Sequence, residues 1–116
     1  MIDENELKYY KNDIPLPFFC TAKYGSSVMD LTDYTMTLTI KKSATDTVPV
    51  LTKTATISSP ATGKGLFEWE DGDLNIAVGT YYYDVEIEKT DTITGKVYRH
   101  TIIGPTKIII LQDLTT

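Results

Sequence analysis

The chain has 116 residues, 41% hydrophobic and 23% charged, with a formal net charge of -5, which suits one globular domain able to bury a core without disulfide or metal staples. The acidic balance works against nucleic acid, whose phosphates are bound by clustered Lys and Arg. A single cysteine, Cys20, leaves no partner for an internal disulfide or a cysteine-based zinc site, and it reads as a small buried apolar residue.

The opening Met1-Ile2-Asp3-Glu4-Asn5-Glu6 is acidic where a secretory leader needs a basic start. The longest apolar run spans only a few residues, far short of a membrane span. The expectation is a chain made in the cytoplasm, with no membrane partner.

Residues 1–12 are polar and aperiodic apart from Leu7, Tyr9 and Tyr10, and read as an N-terminal arm ahead of one domain over residues 13–116. Residues 14–22 are expected to form a first strand with Leu16, Phe18, Cys20 and Ala22 on one face. Pro15 and Pro17 remove amide protons from one side of that strand, which places it at a sheet edge. Residues 23–33 contain Gly25-Ser26-Ser27 and read as a loop. Residues 34–41 then alternate, with Tyr34, Met36, Leu38 and Ile40 inward and Thr35, Thr37, Thr39 and Lys41 outward.

A third strand is expected within residues 50–57, followed by turn formers at residues 58–63. Phe67 and Trp69 share one face of a short strand over residues 65–70, and Asp71-Gly72-Asp73 ends it. Residues 74–78 make a single turn, being too few for a stable helix. Residues 80–88 carry the clearest period-two signal: Tyr81, Tyr83, Val85 and Ile87 on one face, Tyr82, Asp84, Glu86 and Glu88 on the other. A turn at residues 91–95 leads into an antiparallel return over residues 96–103, which Gly104-Pro105 is expected to break. The closing stretch puts Ile108, Ile109, Ile110 and Leu111 in succession, so both of its faces are apolar. The pattern predicts an all-β fold, an antiparallel β-sandwich of about seven strands.

No arrangement of residues points to an active site. Glu68-Trp69-Glu70-Asp71-Gly72-Asp73 has carboxylates around a glycine but not the ligand spacing of a calcium loop, and reads as a solvated turn. His100, the single histidine, shares a strand face with Tyr98 and Ile102, while neither Cys20 nor any serine stands in a nucleophile motif. Thr62-Gly63-Lys64-Gly65 lacks the glycine spacing and trailing hydroxyl of a phosphate loop. Of Tyr81-Tyr82-Tyr83, only Tyr82 points away from the core, where it could stack on a sugar ring. No catalytic, metal or cofactor-binding residues are expected.

Five stretches resemble one family. Asp13-Ile14-Pro15-Leu16-Pro17-Phe18, the run from Asp30 to Leu38, Thr62-Gly63-Lys64-Gly65-Leu66-Phe67-Glu68-Trp69, the run from Gly79 to Ile87, and Ile108-Ile109-Ile110 resemble the N-terminal immunoglobulin-like domain of bacteriophage baseplate upper proteins and related tail proteins. The resemblance implies an immunoglobulin-like β-sandwich and a non-enzymatic structural protein of the virion, an assembly subunit or adaptor of the tail, baseplate or neck. Its partners would be other phage structural proteins and copies of itself, and it would act as an oligomer or docked subunit. A carbohydrate- or surface-binding β-sandwich module is the alternative.

Leu7, Tyr9, Tyr10, Tyr82, Ile109 and Leu111 are the expected interface, since an aromatic arm and a strand with two apolar faces both need cover. The arm could instead fold back over the last strand of its own chain.

Overall fold

Alternating side chains build most of the molecule. The computed structural model describes residues 5–112. Residues 1–4 of the expected arm and residues 113–116 of the expected domain lie outside that range. The described strands are β1 (Leu7–Tyr10), β2 (Phe18–Thr21), β3 (Lys23–Tyr24), β4 (Ser27–Val28), β5 (Thr35–Lys41), β6 (Leu51–Thr54), β7 (Lys64–Phe67), β8 (Gly79–Thr90) and β9 (Val97–Leu111). One 3-10 turn, Pro60–Thr62, precedes β7. The fold is all-β, partitioned into a five-stranded sheet in the order β1-β9-β8-β5-β6, a β2-β7 pair and a small β3-β4 hairpin.

β8 holds the centre of the large sheet, antiparallel to β5 on one side and β9 on the other. Its inward residues Tyr81, Tyr83, Val85 and Ile87 are buried with Met36, Leu38 and Ile40 of β5 and Ile108 and Ile110 of β9. The β2-β7 pair covers this face. The Phe18 ring meets Tyr83 edge-on at 6.1 Å and stacks on Phe67 at 6.2 Å. Gly65 lets β7 approach Met36 closely, because a Cβ there would collide with the Met36 sulfur. Trp69, Leu74, Cys20, Ala22 and Leu31 complete the core. Burial pushes the Cys20 thiol up to about 11, so the cysteine is a packing residue.

Three expectations are corrected. Residues 7–10, read as an arm, form β1 and run parallel to β9, with Leu7 opposite Ile108 and Tyr9 opposite Ile110. The physical reason is the bare edge of β9, whose unpaired amides and inward isoleucines need a neighbour and receive one from the same chain. Gly104-Pro105 does not break the last strand: the register with β8 shifts between Tyr83 and Val85, and again between Val85 and Glu86. Such bulges take a proline without costing a ladder hydrogen bond and increase the local twist. Finally, the first strand is shorter than expected, regular pairing beginning only at Phe18, because the prolines at 15 and 17 cannot donate; Leu16, expected on the inward face, therefore lies outside the strand and is exposed.

β6 is the other edge of the large sheet, and it carries an inward lysine. Lys53 Nζ donates to Asp73 Oδ2 at 2.5 Å with both side chains mostly covered, and the same oxygen accepts the Glu70 amide at 2.8 Å. A charge turned inward on an edge strand discourages pairing with another chain. Asp73→Ala is expected to cost about 1.5–3 kcal/mol, since it strands a nearly buried ammonium. Adding Lys53→Met should recover part of that loss in urea denaturation; a double variant no more stable than Asp73→Ala alone would contradict the pairing.

Candidate functional site

The outward side chains of β8 meet those of its neighbours in ordered rows. Tyr82 lies between Lys41 and Lys107, Glu86 between Thr37 and Thr101, and Glu88 between Thr35 and Arg99. Asp84 faces Thr39 on one side and the bulge on the other. β6 extends the hydroxyl surface by setting Thr54 beside Thr37 and Thr52 beside Thr39.

Depressions mark this outer face. A depression of about 800 Å³ is lined by Thr35, Thr37, Glu86, Glu88 and Lys89. Another of about 380 Å³ is lined by Thr39, Lys41, Tyr82, Asp84 and Pro105. The Arg99 Nε–Glu88 Oε2 contact at 3.0 Å is exposed on both sides and adds little to stability.

Asp84 is the carboxylate this environment perturbs. Partial burial raises its pKa, with Lys41 pulling in the opposite direction. The folded state therefore holds the Asp84 proton more tightly than the unfolded state does, and this contribution to stability is lost as pH rises through the unfolded and then the raised folded value. Asp84→Asn is accordingly expected to raise the melting temperature at neutral pH, with a gain that shrinks in acid. A gain that grew as pH fell would contradict the assignment.

Of the six residues expected at an interface, the structure brings four onto this outer face and two into the core. Tyr10 pairs with Leu111 at the end of β1, Ile109 sits between Lys8 and Thr80, and Tyr82 is its diagonal neighbour across Lys107. Tyr82, Ile109 and Leu111 are half-buried and Tyr10 is exposed. Leu7 and Tyr9 turn inward, a correction that follows from the parallel pairing of β1. The Tyr9 ring lies edge-on to Trp69 at 5.1 Å, and burial raises the Tyr9 phenol, partly offset by the Trp69 indole. That indole Nε1 is buried without a well-formed hydrogen bond.

Chemistry-bearing residues elsewhere stay apart. His100 is exposed on β9, its ring 6.3 Å from that of Tyr24, and Cys20 is buried on the opposite layer. Among the described residues, no three His, Cys, Asp or Glu side chains gather closely enough to hold a metal ion, and no helix is long and apolar enough to cross a membrane. Neither a protein-family model nor a curated protein matches this chain.

A second surface escaped the sequence reading. Residues 92–101 of the β8–β9 hairpin are exposed, so its far end stands clear of the core. Ile93 at the tip is 94% exposed, with Val97 and Tyr98 open behind it. Asp91 Oδ1 accepts the Ile93 amide at 2.9 Å, and the Gly95 amide reaches the Asp91 carbonyl at 2.7 Å, so the tip is a built turn. The available signal was Ile93 inside Asp-Thr-Ile-Thr-Gly, an apolar residue among turn formers.

Proposed function

We propose that this chain is a non-enzymatic structural subunit of a bacteriophage particle, in the tail, baseplate or neck, which docks on other structural proteins and on copies of itself. An immunoglobulin-like sandwich is part of the same proposal, with β8 at its centre. The observation that carries the reading is apolar surface displayed away from the core: Ile93, Val97 and Tyr98 on the projecting hairpin, and Tyr24 and Val28 on β3-β4. Side chains of this kind are used at protein interfaces. Four of the five stretches resembling baseplate proteins support it further, because they overlap β5, β7, β8 and β9, strands that contribute to the core.

Purified particles produced from the genome that encodes the chain provide the test. The expected result is a fixed number of copies per particle, with Ile93→Asp leaving the free protein folded but reducing incorporation. Particles that lack the chain, while it accumulates free in the same lysate, would sink the reading.

A carbohydrate-binding role has one observation in its favour, the depression in which half-buried Tyr82 sits among Thr39, Asp84 and Lys41. Such a site offers an aromatic face with hydroxyl, carboxylate and ammonium groups. Binding on a glycan array that disappears with Tyr82→Ala would favour this second reading over the first.

A further inference from the structure

We infer that β1 is an exchangeable arm, and that in the assembled state Leu7–Tyr10 of one copy pairs with β9 of a second copy while the links between arm and body cross and pack together. The inference rests on the assembly-subunit reading in naming a second copy as partner.

The argument begins with how β1 is attached. Its ladder contacts are with β9 alone, and its pairing is parallel in an otherwise antiparallel sheet. Leu7 and Tyr9 are nevertheless needed, because they lie against Ile108 and Ile110 and the Tyr83 hydroxyl donates to the Asn5 carbonyl. A β9 edge stripped of β1 exposes core, so some strand must occupy it. A second copy carries the same sequence and reproduces every one of these contacts in the same register, which is why exchange of a terminal element is a low-cost route to association.

The link supplies the means. Between β1 and β2 the chain turns at residues 10–13, where the Asp13 amide reaches the Tyr10 carbonyl at 3.1 Å and Asn12 adopts a left-handed φ of 70°. Straightening that turn loses two long hydrogen bonds, Asp13 amide to Tyr10 carbonyl and Asn12 amide to Leu74 carbonyl, both at 3.1 Å, and releases Asn12 into ordinary extended backbone. Beyond it, Pro15 and Pro17 fix their own φ and hold Ile14 and Leu16 extended. Residues 11–17 then span about 23–25 Å when straight, close to the 28 Å short dimension of the molecule. An arm on such a strut reaches the β9 edge of a copy lying alongside.

The second observation identifies the occupant. Leu16 is 87% exposed and Ile14 is 59% exposed, so two large apolar side chains point into solvent from the link. In the closed monomer the described residues leave Leu16 almost bare and cover Ile14 only in part. Two exchanged arms run past each other at this point, and Ile14 and Leu16 of each cover those of the other. Because the prolines lack amide protons, the crossing is held by side chains and does not grow into a continuous sheet.

The test mixes two variants of the full chain that each add one cysteine, Lys8→Cys and Ile109→Cys, at register partners in the β1–β9 pair. The native Cys20, buried with its thiol pushed up to about 11, stays unreactive. The variants are combined at a concentration on the order of millimolar, as for neighbours in an assembly, warmed to allow exchange and treated with a short bis-maleimide. The expected product is a cross-linked dimer, several-fold more abundant than with either variant alone. Leu16→Asp should reduce that dimer while the melting temperature of the dilute protein is unchanged.

Exchange is overturned if the mixture yields no more dimer than the single variants while a chain carrying both cysteines cross-links internally. A dimer yield indifferent to Leu16→Asp overturns the crossing of the links. Should Ile109→Cys fail to fold, Tyr10→Cys with Leu111→Cys probes the same register. Failure in this solution experiment leaves incorporation into particles to be decided separately, so the two readings fail independently.

Discussion

Tyr83→Ala is expected to remove a large part of the stability of the domain. Tyr83 is 1% exposed, stands at the centre of β8, and touches three parts of the molecule: Phe18 of the covering pair edge-on, Ile40 of β5 and Thr106 of β9 as register partners. Truncating a buried aromatic costs about 3–5 kcal/mol, against a typical total of about 5–15 kcal/mol. Tyr83→Phe keeps the ring and loses the hydroxyl bond to Asn5, a change of about 1 kcal/mol. Thermal melting of both variants gives the measurement. Equal and small losses would place the ring outside the core and overturn the packing described for β8.

Gly63→Ala is expected to be nearly as damaging, for a different reason. Gly63 caps the 3-10 turn at a φ of 69°, where a side chain costs roughly 1–2 kcal/mol. A Cβ there would also meet the carbonyl oxygens of Ala22 and Met29 at 2.9 Å and the Val28 side chain, and backbone cannot swing away as a side-chain end can. Together these give roughly 2–5 kcal/mol. Gly25 separates the two contributions: it has a φ of 65° and open space around its Cβ position. Gly25→Ala therefore reads the backbone cost alone. Urea denaturation that found the two substitutions equally harmful would remove the close approach from the account.

The inward faces of β5, β7 and β8 were legible in the sequence because each is a strand with one face buried, and period two writes that directly into residue order. Met36, Leu38 and Ile40 are buried as the alternation required, as are Phe67, Trp69 and Tyr83. β1 was not legible, since four residues beside polar neighbours show no period and their role depends on an edge more than ninety positions away. The continuity of β9 through Gly104-Pro105 was hidden by the two residues that usually signal a break, and only the partner strand shows that they fill a bulge. The outer face fared similarly. Thr35, Thr37 and Thr39 were correctly turned outward, but the depressions they line are shared between β5 and β8, a pairing that a single strand does not encode.

The parallel β1–β9 pair also has a mechanical meaning. The chain passes through residue 5 just before β1 and through residue 112 just after β9, and the two strands point the same way. Tension applied across those positions drags β1 backward and β9 forward along a common axis. Every hydrogen bond of the ladder is then strained at once in shear, together with Leu7 and Tyr9 against the isoleucines, and none can be peeled off ahead of the others. The same strands joined antiparallel would let a pull at neighbouring ends open them one bond at a time. The short clasp therefore resists a lengthwise pull better than its four residue pairs suggest, and an atomic force trace is expected to show a single rupture peak before the rest of the sheet extends.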